Sequence, residues 1–205
     1  MGFYDTHIMP RLIDVLCGMK AINKQREKVV PHARGRILEI GIGSGLNLPY
    51  YKADQVEKLW GLEPEEAMWK RAEKRLANVS FDFEFIGLKG EEIPLEDNSV
   101  DTVVTTYTMC TIPDVNLALE QMRRVLKPGG VMLFTEHGKA PDAAVEKWQN
   151  RINPMWQKMA GGCNLNREIP KIVEGTGFDF AELDEMYVPG PKIATYNYWG
   201  VAKPR

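Results

Sequence analysis

Along most of this chain, short runs of β type are followed by stripes of apolar residues at helical spacing. Residues 36–40 form a segment of strand length built on Ile37, Leu38 and Ile40, and glycines follow at positions 41, 43 and 45. The pattern predicts a buried strand, a glycine turn, and a helix that ends before a second strand at 58–62. Pro64 stands where proline opens a helix, and Ala67, Met68, Arg71, Ala72 and Leu76 continue it. Phe81, Phe83 and Phe85 alternate with Asp82 and Glu84, giving a third strand with one wetter face. Residues 101–106 are a β-branched fourth strand. Val115, Ala118, Leu119, Met122, Val125 and Leu126 form a helical stripe, stopped by Pro128-Gly129-Gly130. Residues 131–135 are the fifth strand.

Such alternation predicts a parallel sheet covered on both faces. After Glu136-His137 the order changes. A helix over 142–160 is expected to be interrupted near Pro154, and a short helix over 167–174 follows. Two antiparallel strands, about 178–188 and 193–202, then close the sheet around Pro189-Gly190-Pro191. At the other end, Ile8, Leu12, Ile13, Leu16, Met19 and Ile22 share a helical face, with Arg11, Lys20, Lys24, Arg26 and Lys28 mostly elsewhere. Residues 1–30 read as an amphipathic helix, either a lid packed on the domain or a surface helix on a membrane. Residues 31–205 read as the main domain, with 137–177 as an insertion on the substrate side.

The glycine turn carries the first chemistry. Glycine has no Cβ and tolerates positive φ, so a ligand can approach bare backbone there. The dinucleotide pattern G-x-G-x-x-G requires a glycine at position 46, where this chain has Leu46. Residues 37–51 contain no Lys or Arg, and Glu39 precedes the glycines, so a phosphate would be poorly served. A positively charged ligand fits better. Glu63 lies about 20 residues past the turn, at the tip of the second strand, placed to accept both hydroxyls of a ribose. A ribose with positive charge and no phosphate points to S-adenosylmethionine.

With Glu39-Ile40-Gly41-Ile42-Gly43-Ser44-Gly45 and Asn47 closing the turn, the sequence resembles the class I S-adenosylmethionine-dependent methyltransferases, whose E-x-G-x-G-x-G motif it matches. Ser99-Val100-Asp101 and Arg124 to Gly130 resemble that family's later motifs. The resemblance implies a Rossmann-like α/β fold with a seven-stranded, mostly parallel sheet and a C-terminal antiparallel hairpin. It implies that Glu39, Gly41, Gly43, Gly45, Asn47, Glu63 and Pro64 bind the cofactor. Gly90 and Glu91 would meet the adenine edge. Thr106 and Tyr107 lie where open α/β sheets place ligands, at the carboxyl end of the fourth strand.

A narrower resemblance is carried by Cys110-Thr111, Glu136-His137, Trp148-Gln149, Pro154, Trp156, the run from Gly162 to Glu168, and Tyr198 to Lys203. These look like the alkyl-thiol S-methyltransferases, except that Glu63 stands where those carry Asp. The resemblance implies methyl transfer to a small thiol. Phospholipid N-methylation and quinone-type C-methylation are the alternatives. His137, near a strand's carboxyl end on the cofactor side, is the candidate base, a structural cap being the other reading.

Composition narrows the partners. A net charge of −2 and a pI near 6.0 argue against a nucleic-acid binder. Three cysteines without a C-x-x-C pair suggest a reducing, cytoplasmic setting. The three histidines are scattered, so no metal site is expected from spacing. No apolar run approaches the roughly 20 residues of a membrane span. The expected partner is a small molecule, with a membrane surface the alternative contact of the N-terminal helix; oligomeric state is not legible.

Overall fold

The computed structural model describes residues 9–205. Its seven strands are β1 (Gly35–Ile40), β2 (Val56–Leu62), β3 (Asp82–Ile86), β4 (Val100–Thr106), β5 (Leu126–His137), β6 (Phe178–Tyr187) and β7 (Tyr196–Pro204). They form one sheet in the order β3-β2-β1-β4-β5-β7-β6. The first five run parallel, and β7 runs antiparallel to both β5 and β6. Chain order reverses between β1 and β4, so the connections leaving these strands diverge. A crevice opens at their carboxyl ends, where doubly wound sheets bind ligands.

Successive residues of the central strands feed opposite faces of the sheet. Leu38, Val103, Met132 and Phe134 enter one core with Leu119 and Met122. Ile37, Val104 and Leu133 enter the other with Val29, Val30 and Leu59. Helix α4 (Val115–Val125) shows how the first face is covered. The Asp114 carboxylate accepts from the Leu117 N–H at 3.0 Å as an N-cap. Ala118, Leu119, Met122 and Val125 are then fully buried. Each large side chain contributes about 1.5–3 kcal/mol by leaving water.

The structure departs from the sequence reading at several points. No α-helix follows the glycine turn; two 3₁₀ turns, Leu48–Tyr50 and Ala53–Gln55, lead into β2. Pro49 has no N–H to continue a helix begun at the glycines. Helix α3 (Glu66–Leu76) starts as expected, and Trp69 stacks on Phe83 and Phe85 of β3. Helix α5 (Ala143–Met159) runs unbroken through Pro154, so the lost backbone bond is tolerated. Helix α6 (Ile169–Gly175) and the single turn α7 (Lys192–Thr195) complete the C-terminal part.

The N-terminal stripe is two helices, α1 (Met9–Cys17) and α2 (Lys20–Val29). Ile8 lies outside the described residues. The chain breaks at Gly18, where a Cβ would stand 2.8 Å from the Asp14 carbonyl, and Met19 is extended. Helix α2 lies against β5 and β7, with the Lys28 ammonium 3.4 Å from the centroid of the Trp199 ring.

Two glycines test this packing. A Cβ at Gly200 would collide with the Glu182 carbonyl beside the irregular β6–β7 register, whereas one at Gly175 meets nothing within 4 Å. Gly200→Ala should destabilise the fold by about 1–3 kcal/mol. Gly175→Ala should stabilise it by roughly 0.5–1 kcal/mol. Thermal melts of the two variants should therefore move in opposite directions.

Candidate active site

The turn after β1 holds three glycines at positive φ, 66° at Gly41, 55° at Gly43 and 78° at Gly45. They serve different needs. A Cβ on Gly41 would strike the Thr108 side chain, and one on Gly45 would stand 2.7 Å from Leu48 and 3.3 Å from Ala72. Gly43 meets nothing closer than Met68 Cε at 3.4 Å. Its bare backbone faces a cleft of about 490 Å³, while Gly45 lies outside the lining and packs the turn on α3.

The other acids and polar groups expected from sequence line this cleft. Glu39, Asn47, Glu63 and Pro64 stand on one side; Gly90, Glu91, Thr106 and Tyr107 complete it. Glu63 is 8% exposed. Its Oε2 accepts from the Gly43 N–H and its Oε1 from the Glu65 N–H, each at 3.0 Å. Burial raises its pKa, and the two backbone donors partly offset the rise. Each oxygen keeps a second lone pair, enough to receive a pair of ribose hydroxyls. Glu91 accepts from the Asp114 N–H at 3.2 Å, which ties the rim to the start of α4.

Glu39 is buried, accepting from Asn47 Nδ2 at 2.9 Å and the Tyr51 hydroxyl at 2.7 Å. Asn47 Nδ2 also reaches Thr106 Oγ1 at 3.0 Å, joining β1 to β4. Burial pushes the Glu39 pKa up to about 7, against the pull of Tyr51, Asn47 and the Arg26 charge. Tyr107 has φ 54° although it is not glycine. Its hydroxyl donates to Asn197 Oδ1 at 2.7 Å, so the ring and not the hydroxyl is offered to the cleft.

His137 is not among the residues lining the cleft. Its ring is stacked 6.5 Å from that of Tyr107, and its Nε2 is 3.1 Å from Cys163 Sγ. One ring nitrogen of this candidate base is thus engaged by one of the protein's own thiols, while Nδ1 is buried without a hydrogen-bond partner. Glu136 next to it is fully buried. Its Oε1 accepts from the Thr108 and Met109 N–H groups at 2.8 and 3.0 Å and from Thr105 Oγ1 at 3.2 Å. It fastens the loop after β4.

The lid was one of two readings of the N-terminal stripe, but the sequence reading named none of the residues that it brings to the cleft. Ile13, Asp14 and Cys17 of α1 and Arg26 of α2 line the cleft. Asp14 accepts from the Ser44 hydroxyl and pairs with Arg71 and Arg75 at 3.3 Å, tying α1 to the glycine turn and α3. Arg26 is 4% exposed, its guanidinium 5.2 Å from the centroid of the Tyr107 ring, and its Nε and Nη1 have no hydrogen-bond partner. The signal was present: Arg26 lies four residues after Ile22 and three before Val29, on the apolar face of its helix.

These features fit S-adenosylmethionine. Glu63 would take the ribose, the bare backbone at Gly43 leaves room for the ligand, and Glu39 supplies negative charge for a cationic ligand. The orphaned, buried Arg26 would take the carboxylate of the methionine end. Fold and site together define a class I S-adenosylmethionine-dependent methyltransferase. A family model described as a methyltransferase domain matches residues 38–134. Human thiol S-methyltransferase TMT1B is 32% identical over 181 residues, 83% of this chain and 73% of that protein. Rat thiol S-methyltransferase TMT1B is 34% identical over 152 residues, 72% of this chain and 62% of that one. The chain thus spans about two thirds of the length of these relatives. A putative methyltransferase solved with the Haloferax volcanii Trm112 activator shares the fold, with a TM-score of 0.71 at 19% identity over 98% of this chain and 96% of that one. The chain belongs to the thiol S-methyltransferase family.

Two predictions follow from the cofactor fit. Charge-assisted hydrogen bonds contribute about 1.5–3 kcal/mol, so Glu63→Ala and Arg26→Met should each weaken S-adenosylmethionine by roughly tenfold or more. Calorimetric titration of variants that melt like the parent reads this out, and unchanged affinity would remove the assigned role.

Glu39 makes binding pH-dependent. Its pKa is raised from an ordinary value near 4.5 to about 7. Its contribution to folding is therefore complete below about 4.5 and lost as pH rises to about 7. A bound cation lowers that pKa, so binding expels a proton and affinity should rise several-fold between about pH 5 and 7, then level off. Glu39→Gln should flatten the profile measured by titration calorimetry.

Proposed function

We propose that this chain transfers the methyl group of S-adenosylmethionine to a small alkyl thiol. The observation that carries this reading is its 32–34% identity to thiol S-methyltransferases across most of the chain. S-adenosylmethionine supplies an electrophilic methyl on a cationic sulfur. The chain's own part is alignment and desolvation. Glu63 and Arg26 would fix the two ends of the cofactor, while Glu39 biases the cleft toward positive charge. Such positioning contributes on the order of 7–11 kcal/mol to lowering a two-substrate barrier.

The acceptor would enter over Tyr107, Thr111 and Ile112, opposite the glycine turn. A thiol of pKa about 8.5 is only a few per cent thiolate at neutral pH. An anionic sulfur attacking the methyl carbon of a cationic sulfonium turns two charged reactants into two neutral thioethers, so a cleft with apolar walls such as Ile42, Met68 and Ile112 favours the step over the separated ions. Free thiols at positions 17, 110 and 163 suit a reducing compartment such as the cytoplasm.

A second reading rests on α1. Leu12, Val15, Leu16 and Met19 are 43–68% exposed, an apolar face able to touch a lipid surface. Among the described residues, no helix is long and apolar enough to cross a membrane. Phospholipid amines or membrane quinols would then be the acceptors.

The test offers S-adenosylmethionine with an alkyl thiol, phosphatidylethanolamine vesicles or a quinol, and identifies products by mass spectrometry. Methyl thioethers are expected without added lipid, at a rate rising with pH toward the thiol pKa. Methylated phosphatidylethanolamine in their place would reject the thiol and favour the surface reading.

A further inference from the structure

Beside the cleft stand three groups with no part in cofactor binding. Cys110 follows β4, His137 ends β5, and Cys163 follows α5. Their two sulfurs and a ring nitrogen all lie within 4.8 Å of one another. Sequence spacing could not show this, because the residues come from three separate segments.

The backbone around them is fixed. The Asn164 N–H and Nδ2 both donate to the Cys110 carbonyl at 2.9 Å, fastening one thiol loop to the other. Asn153 Oδ1 accepts from the Leu165 N–H at 2.8 Å, Arg167 donates to the Met109 carbonyl, and Glu136 holds the Met109 N–H. Cys110 is buried, while Cys163 and His137 are half-buried. The thiols are therefore presented on backbone that polar clamps from α5, β5 and the loop before α6 hold in place.

The geometry suits a tetrahedral ion. Bonds of about 2.0–2.3 Å to sulfur and imidazole nitrogen place such ligands roughly 3.5–4 Å apart. Two thiolates and an imidazole are ligands for zinc-class ions. Three protein ligands leave one position open, as in catalytic zinc sites. Charge agrees: Glu136 keeps a buried Oε2 without a hydrogen-bond partner in the same region. Two thiolates and Glu136 against a divalent ion and Arg167 leave the cluster neutral before the acceptor binds, and an acceptor thiolate adds one negative charge, which the cationic sulfonium can face. A coordinating thiol is deprotonated outright.

Near neighbours of both cysteines face the cleft. Thr111, next to Cys110, and Gly161, two residues before Cys163, both line it. We propose that Cys110, His137 and Cys163 form a three-ligand site for a zinc-class divalent ion, whose fourth position receives the acceptor thiol as its thiolate. The second half rests on the thiol reading above. The thiol releases its proton to solvent on binding. Its sulfur pair then forms the new C–S bond as the sulfonium C–S bond breaks, and that bonding pair stays on the departing thioether. The methylated product is a neutral thioether, a weak ligand that leaves.

The experiment uses the full chain, purified under reducing conditions, loaded with Zn²⁺ for elemental analysis and with Co²⁺ for absorption spectroscopy. One ion per chain is expected, with a thiolate-to-cobalt charge-transfer band. Both should disappear in Cys163→Ser and in Cys110→Ser, and persist in Cys17→Ser. Adding an alkyl thiol should shift the cobalt bands, and the matching methyl thioether should not. Metal retention equal to that of a Cys110→Ser/Cys163→Ser variant melting like the parent would overturn the site. So would a Cys110–Cys163 disulfide in place of bound metal. Cobalt bands unmoved by thiol, or full thiol methylation by metal-stripped protein, would overturn the fourth-ligand role while leaving the thiol reading standing. Thiol-responsive cobalt with no thioether formed would uphold the site and sink the thiol reading.

Discussion

Three carboxylates buried at the carboxyl ends of parallel strands constrain everything around the cleft. Glu39 on β1, Glu63 just after β2 and Glu136 on β5 are each at most 8% exposed. A carboxylate removed from water is tolerated only where donors replace its hydration. Those donors are the Gly43, Glu65, Thr108 and Met109 N–H groups and the side chains of Asn47, Tyr51 and Thr105. Each acid thereby dictates the path of a loop. Glu63 closes the glycine turn against β2, and Glu136 shapes the loop that presents Tyr107 and Cys110. The same interactions that satisfy buried charge also lay out the site.

This arrangement links cofactor chemistry to fold stability. Glu39 is held by neutral donors, so desolvation dominates and its pKa rises to about 7. An acid poised there can respond to a cation in the cleft by releasing a proton. Glu63, held by two backbone N–H groups, has part of its desolvation offset and its carboxylate fixed against the glycine turn. Environment separates the roles of two carboxylates a single strand apart.

The N-terminal helices extend the same logic. Asp14 is half-buried between Ser44, Arg71 and Arg75, so α1 is bound to the glycine turn it covers. Arg26 approaches from α2 with unpartnered donors. This roof is thus held by ion pairs on one side and exposes apolar residues on the other.

The glycine turn, Glu63 at the tip of β2, the five parallel strands and the C-terminal hairpin were all legible in the sequence. Each depends on local rules, such as alternation, helical spacing, glycine at positive φ, or an acid at a fixed distance from a turn. The helix expected after the turn was not formed, because Pro49 and the contact of Tyr51 with Glu39 favour a tighter path than periodicity can report. The place of Arg26 on the apolar face of α2 was legible from its spacing to Ile22 and Val29, but only tertiary structure set the Tyr107 ring and the cleft against it, since these come from distant segments. His137 was legible as a strand-end histidine, but its engagement with Cys163 was not. Nor could spacing join Cys110, His137 and Cys163, because their proximity arises from three segments converging at one end of the sheet. Local chemistry is written in residue order, whereas a cluster built across distant segments exists only once the strands have paired.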